Sequence, residues 1–125
     1  MKKVFISILL IILVGASSVF AKPVRIKFKK GATKAVVNGK LNGYQSKLEY
    51  VIRLRSGQTL KLSSNKYITL RIADPAGEDA TDYDASCNGN KTISPTVAGD
   101  YKIIVVECQK ADEWRGNFKL FVSAR

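Results

Sequence analysis

From Lys22 onward the apolar residues of this chain recur at every second position, segment after segment, and that period of two is the pattern of β-strands with one buried and one wet face. Val24, Ile26 and Phe28 alternate with Arg25, Lys27 and Lys29. Ala35, Val37 and Leu41 form a second face, closed by Asn42-Gly43, a pair that tolerates the positive φ of a turn. A third run turns Leu48, Tyr50, Ile52 and Leu54 inward and Glu49, Arg53 and Arg55 outward, and Ser56-Gly57-Gln58 leads on to Leu60 and Leu62, which alternate with Lys61 and Ser63. Ile68, Leu70 and Ile72 make a fifth strand that stops at Asp74-Pro75-Ala76-Gly77. After a short stretch around Lys91 to Ile93, the turn Ala98-Gly99-Asp100 opens a strand with Tyr101, Ile103 and Val105 on one face, and Phe118, Leu120 and Val122 mark the last one. Helical periodicity is nearly absent, and no linker or low-complexity tract divides the chain. Seven to eight short strands in about 100 residues, with turn chemistry between them, predict an all-β fold, a single antiparallel β-sandwich.

The residues ahead of this pattern read as an address. Met1-Lys2-Lys3 is a short positive start, Val4 to Val14 is an unbroken apolar run, and Val19-Phe20-Ala21 ends in the small residues a signal peptidase reads. The run is far shorter than the ~20 residues a spanning helix needs, so no transmembrane segment is expected after cleavage. No cysteine follows it to carry a lipid. The expected organisation is a cleaved signal peptide over 1–21 and one sandwich domain over 22–125, exported to the periplasm or secreted. Export favours Cys87 and Cys108 forming one structural disulfide, because no Cys-x-x-Cys spacing supports a redox-active pair.

Composition then excludes chemistry. The chain has no histidine and two cysteines, which removes Ser-His-Asp and Cys-His nucleophile pairs, His-ligated zinc and four-thiolate metal sites. No enzymatic activity and no metal or other cofactor is expected. Losing Lys2 and Lys3 from the 21 basic residues leaves 19 against 10 acidic ones, a net charge of +9. A domain so charged binds polyanions at low salt, yet export makes nucleic acid an unsuitable physiological partner, and anionic envelope polymers or lipid headgroups fit better. The densest basic run is Lys22, Arg25, Lys27, Lys29, Lys30 and Lys34; its other reading is a set of charges that keeps strand edges soluble.

An irregular stretch from Asp74 to about Asn90 gathers Glu78, Asp79, Asp82 and Asp84 beside Tyr83 and Cys87. Its spacing does not fit the Asp-x-Asp-x-Asp-Gly calcium loop. It reads as a solvated acidic loop that balances nearby lysines, or as a surface for a cationic partner.

Across nearly all of the chain from Lys22 on, Arg25-Ile26-Lys27-Phe28-Lys29-Lys30-Gly31, Gly39-Lys40-Leu41-Asn42-Gly43-Tyr44, Tyr50, Gly57-Gln58-Thr59-Leu60 and Ala98-Gly99-Asp100-Tyr101 through Val105 resemble the periplasmic inhibitors of g-type and i-type lysozymes. The likeness shades into the pre-peptidase C-terminal-like sandwich modules of secreted bacterial peptidases. The resemblance implies a mechanism without a catalytic residue, in which loops at one end of a rigid sandwich enter the cleft of a lysozyme and hydrogen-bond its carboxylates. Tyr44 matches a turn tyrosine of the family, and Tyr101 the tyrosine of its Ser-Gly-x-Tyr loop. Ala98 replaces the serine of that loop. The family's Arg-Asn-x-Ala-Arg stretch reads Gln109-Lys110-Ala111-Asp112-Glu113 here, so Lys110 and Arg115 stand in for its arginines.

Each candidate has a plainer alternative. Trp114 beside Arg115 is a binding anchor or a cap folded over the core. Tyr101 shares the parity of Ile103 and Val105, which favours a core position. The expectation carried forward is a monomeric or weakly associating lysozyme inhibitor-like protein that contacts a g-type or i-type enzyme through Tyr44, Tyr101, Lys110, Trp114 and Arg115; the alternative is a non-catalytic module that binds anionic or carbohydrate envelope material through its basic strand face.

Overall fold

The computed structural model describes residues 22–81, 87, 89–108, 110 and 112–125. The expected signal peptide and the acidic residues Asp82 and Asp84 lie outside the described residues. Among the described residues there are eight strands: β1 (Val24–Ile26), β2 (Lys34–Asn42), β3 (Lys47–Leu54), β4 (Leu60–Ser64), β5 (Ile68–Ala73), β6 (Lys91–Ile93), β7 (Gly99–Glu107) and β8 (Arg115–Ala124). They form two sheets of four, in the orders β1-β3-β7-β5 and β2-β8-β4-β6, so every strand lies in the opposite sheet from the one before it. There are therefore no hairpins between consecutive strands; each connection arches across the sandwich. Asn42-Gly43 is such an arch, joining β2 of one sheet to β3 of the other, with Gly43 at φ 90°.

The arching explains a departure from a wholly antiparallel arrangement. β1 runs one way, β2 returns in the facing sheet, and β3 runs the first way again beside β1, so Val24–Ile26 pairs in parallel with Tyr50–Ile52. The other strand pairs are antiparallel. β5 and β6 also point in the same direction, and the connection between them has to travel back along the sandwich. That requirement accounts for the long segment after Ala73. It is pinned near its end by the Cys87–Cys108 disulfide, which attaches it just beyond β7.

The inner faces carry the residues that the alternation singled out. Tyr50, Ile52, Leu54, Ile68, Leu70, Ile72, Tyr101, Ile103 and Val105 from one sheet meet Leu41, Leu60, Leu62, Ile93, Phe118, Leu120 and Val122 from the other. At about 25 cal/mol per Å² of apolar surface removed from water, this layer is the main force holding the sheets together. Gly39 lies on the inner side of β2, where a Cβ would collide with the Phe118 ring and the Tyr50 hydroxyl; the missing side chain makes room for both aromatics. β1 ends earlier than the Val24, Ile26, Phe28 alternation suggests. Ile26 is buried and Phe28 packs against the core from outside the strand, but Val24, at the open margin of an edge strand, stays exposed.

Candidate functional site

Strand register sorts the loops onto two ends. At one, which we call the Trp114 end, lie the 43–46 turn, the 65–67 turn, the 108–114 connection and the disulfide. At the other, the Tyr101 end, lie residues 55–59, 74–79 and 94–98, because Leu54 pairs with Gly99 there while Lys47 pairs with Val106 at the first. Tyr44, Lys110, Trp114 and Arg115 thus share one end, and Tyr101 does not. At about 3.4 Å per residue, Tyr101 is roughly 20 Å along β7 from the Trp114 end.

Tyr101 is also buried in the core, and its hydroxyl accepts a hydrogen bond from the Val97 N–H at 2.9 Å. Its inward orientation places the ring between the sheets, the core position its parity favours, and its register places it at the end away from Tyr44, Trp114 and Arg115. What it does is hold the 94–98 loop. The basic run from Lys22 to Lys34 is likewise divided. Arg25 points outward from β1 and pairs with Asp100 at 3.0 Å, Lys27 to Lys30 follow β1 on the way to the other sheet, and Lys34 begins β2.

At the Trp114 end three backbone groups are clamped. The Gly43 N–H donates to the Trp114 carbonyl at 3.2 Å, the Tyr44 N–H donates to Glu113 Oε1 at 3.1 Å, and the Trp114 N–H donates to Glu107 Oε1 at 2.7 Å. The Glu113 carboxylate occupies the place where a Cβ on residue 43 would go, so the turn needs glycine for contact as well as for its positive φ. Desolvation first, and then the charges of Asp112, Glu113 and Glu107, raise the Tyr44 phenol above its ordinary value. It is a neutral hydroxyl, able to donate and to accept.

Beside this clamp, Asn65, Lys66, Tyr67, Trp114, Arg115, Gly116 and Asn117 line an open groove of about 460 Å³. Trp114 is half-buried: it packs against the core and also borders the groove. Lys110 is exposed on the same connection.

Sequence reasoning passed over two residues here. Tyr67 is 72% exposed and lines the groove; flanked by Lys66 and a strand start, it carried no periodic signal. Glu107 is 1% exposed, and among the described residues its Oε2 has no hydrogen-bond partner. Its signal was present in the parity of Tyr101, Ile103 and Val105, which points residue 107 inward. Among the described residues no group of three or more acidic or cysteine side chains is placed to hold a metal ion.

Two packed sheets of four strands make this a small β-sandwich domain, and solved structures share that fold. The crystal structure of PliG from Aeromonas hydrophila, a periplasmic lysozyme inhibitor of g-type lysozyme, superposes with a TM-score of 0.63 at 18% identity, covering 82% of this chain and 96% of that one. PliG from Salmonella Typhimurium, another such inhibitor, gives 0.60 at 19% identity, over 83% and 98%. The pre-peptidase C-terminal domain of a Bacillus anthracis collagenase gives 0.55 at 18% identity, over 83% and 95%. The chain shares their fold. No protein-family model matches the sequence, and no curated protein matches it significantly.

Proposed function

We propose that this protein is an exported, non-catalytic inhibitor of a lysozyme, and that it binds the enzyme's cleft through the Trp114 end. The observation that carries this reading is the convergence of Tyr44, Trp114 and Arg115 at one end of a sandwich whose solved counterparts include g-type lysozyme inhibitors. Trp114 and Tyr67 supply rigid apolar area with polar edges, the residue types that anchor interfaces. Arg115 and Lys110 meet carboxylates in the cleft, Arg115 with a fork that suits two oxygens. The neutral Tyr44 hydroxyl approaches a carboxylate without adding charge. Asp112 and Glu113 beside it favour approach to a cationic enzyme, which offsets the positive charge of the body.

The test is turnover of a peptidoglycan suspension by c-, g- and i-type lysozymes with the exported protein titrated in at physiological salt. Stoichiometric inhibition of the g-type or i-type enzyme is expected, weakened at least tenfold by Trp114→Ala and by Arg115→Ala. Failure to inhibit any of the three at a large molar excess overturns the reading. Inhibition that survives both substitutions removes the Trp114 end as the site.

A further inference from the structure

The two sheets differ in how they handle charge on their outer faces. On the β1-β3-β7-β5 sheet, or beside it, Arg25 pairs with Asp100 at 3.0 Å, Arg71 with Asp79 at 3.6 Å and Lys102 with Glu49 at 3.8 Å. On the β2-β8-β4-β6 sheet the outward positions are Lys34, Val36, Asn38, Lys40 and Asn42 of β2, Arg115, Asn117, Lys119, Phe121 and Ser123 of β8, Lys61 and Ser63 of β4, and Thr92 of β6. No acidic residue is among them. Register spreads the cations over a plane: Lys34 and Lys61 both flank Ser123, Lys119 faces Asn38, and Lys40 faces Asn117. At the centre Val36 lies opposite Phe121, and both are exposed, at 54% and 41%.

We infer that this face docks on a lipid bilayer whose headgroups are anionic. The cations are spread over the adjacent strands β2, β8 and β4, about 20 Å from Lys34 to Lys40 along β2, whereas a linear polyanion is best served by a groove or a stripe. The apolar pair supports the same choice. A hydrated polymer gains nothing from an exposed valine and phenylalanine, but at a membrane surface such side chains enter the interfacial layer while lysine stems reach the headgroups around them. Docking through this sheet leaves the loops of the Trp114 end at the side of the molecule, so the inference stands whether or not that end inhibits a lysozyme.

The experiment uses protein recovered from the exported fraction, its N terminus fixed by mass and the same in every variant. Co-sedimentation is measured with vesicles of mixed phosphatidylglycerol and phosphatidylcholine and with vesicles of phosphatidylcholine alone. Binding is expected for the first and not for the second. Combined Lys34→Glu, Lys61→Glu and Lys119→Glu should weaken it about a hundredfold, at roughly tenfold or less per lysine. Combined Lys27→Glu, Lys29→Glu and Lys30→Glu makes the same change in net charge away from the sheet, and should weaken it severalfold at most. Phe121→Ser should weaken vesicle binding severalfold and leave retention on soluble dextran sulfate unchanged. Equal losses in the two charge variants would show that net charge, and not this face, binds. Unchanged vesicle binding by Phe121→Ser would make a linear polyanion the occupant and overturn the inference. All these side chains are exposed, so the variants retain the fold, which thermal melts verify.

Discussion

The two ends of the sandwich use their polar groups in different ways. At the Tyr101 end the hydrogen-bonding capacity is turned inward. Thr96, 2% exposed, donates from Oγ1 to the Arg55 carbonyl at 2.6 Å and accepts the Gln58 N–H at 3.0 Å, while the backbones of Gly57, Gln58 and Thr96 exchange two more bonds. Gln58 Oε1 accepts the Arg55 N–H, the Thr59 and Ser94 hydroxyls bond each other, and the Tyr101 hydroxyl holds Val97. At the Trp114 end a buried carboxylate oxygen has no partner among the described residues, Tyr67 is exposed, and Trp114 borders an open groove. One end closes the fold, and the other leaves aromatic and charged groups exposed around a groove.

The largest expected effect removes the covalent element from the second end. Cys87 and Cys108 are 21 residues apart, and in the chain-entropy account a loop of that length restricts the unfolded chain by about 3 kcal/mol. Cys87→Ser with Cys108→Ser should lower stability by roughly that amount in urea melts. Amide exchange should accelerate first at 43–46 and 112–114 and last at 55–59 and 94–98. Uniform acceleration would mean that the two ends do not differ as described.

Next in size is the reciprocal test at the Tyr101 end. Thr96→Val keeps the side-chain shape but deprives a partly buried N–H and a carbonyl of their partner, which costs about 2 kcal/mol for the two together. Stability should fall while lysozyme inhibition and vesicle binding stay at the wild-type level. A loss of inhibition at constant stability would return the Tyr101 end to the binding site.

Gly43→Ala separates contact from stability at the other end. The expected cost in stability is about 1 kcal/mol, from a positive φ that alanine resists. The effect on partner binding should be larger, because the new methyl displaces Glu113 and with it the clamp that sets Tyr44 and Trp114. The ratio of the two losses, read from melts and from inhibition titrations, measures how much of the clamp serves recognition.

The comparison between ends was only partly legible in the sequence, for reasons particular residues make plain. Parity identified Tyr50, Ile52, Tyr101, Phe118 and Leu120 as inward, because a period of two is a local property that burial on one face enforces. Glu107, one step further along β7, follows the same parity and was passed over because a carboxylate is not expected on an inner face. Parity says nothing of direction or of sheet membership, so Asn42-Gly43 could be read as a turn but not as an arch between sheets. The parallel pairing of β1 with β3 was hidden for the same reason. Tyr44 and Tyr101 both lie near turns, and what separates them by the length of the sandwich is register, which depends on residues far away in the chain. The basic run from Lys22 to Lys34 looked like one surface, while the face without acids is assembled from four strands, no two of them neighbours in sequence.

The smallest expected effect concerns the exposed ion pair on the sheet that carries acidic residues among its outward cations. The Arg25 guanidinium makes two hydrogen bonds to Asp100, at 3.0 and 3.2 Å. That bonding holds the Asp100 carboxyl below its ordinary value against a weaker opposing effect of desolvation, and the charges of Arg25 and Arg53 act in the same sense as the bond. A carboxyl depressed on folding contributes stability that is complete above its unfolded value and is lost as pH falls through its folded one. The pair should therefore stabilise the protein at neutral pH and cease to do so in acid. Asp100→Asn should lower stability slightly at neutral pH, leave it unchanged at the acid limit, and so flatten the acid limb of the stability profile. Because both side chains are exposed, added salt should shrink the difference. The same titration on Lys34→Gln, Lys61→Gln and Lys119→Gln should leave that acid limb as it is in the wild type, since among the described residues no acidic side chain lies on the outer face of their own sheet. Any loss of stability in these variants that grows as pH rises through the carboxylate range would place an unseen acidic partner against that face and remove the contrast between the two sheets.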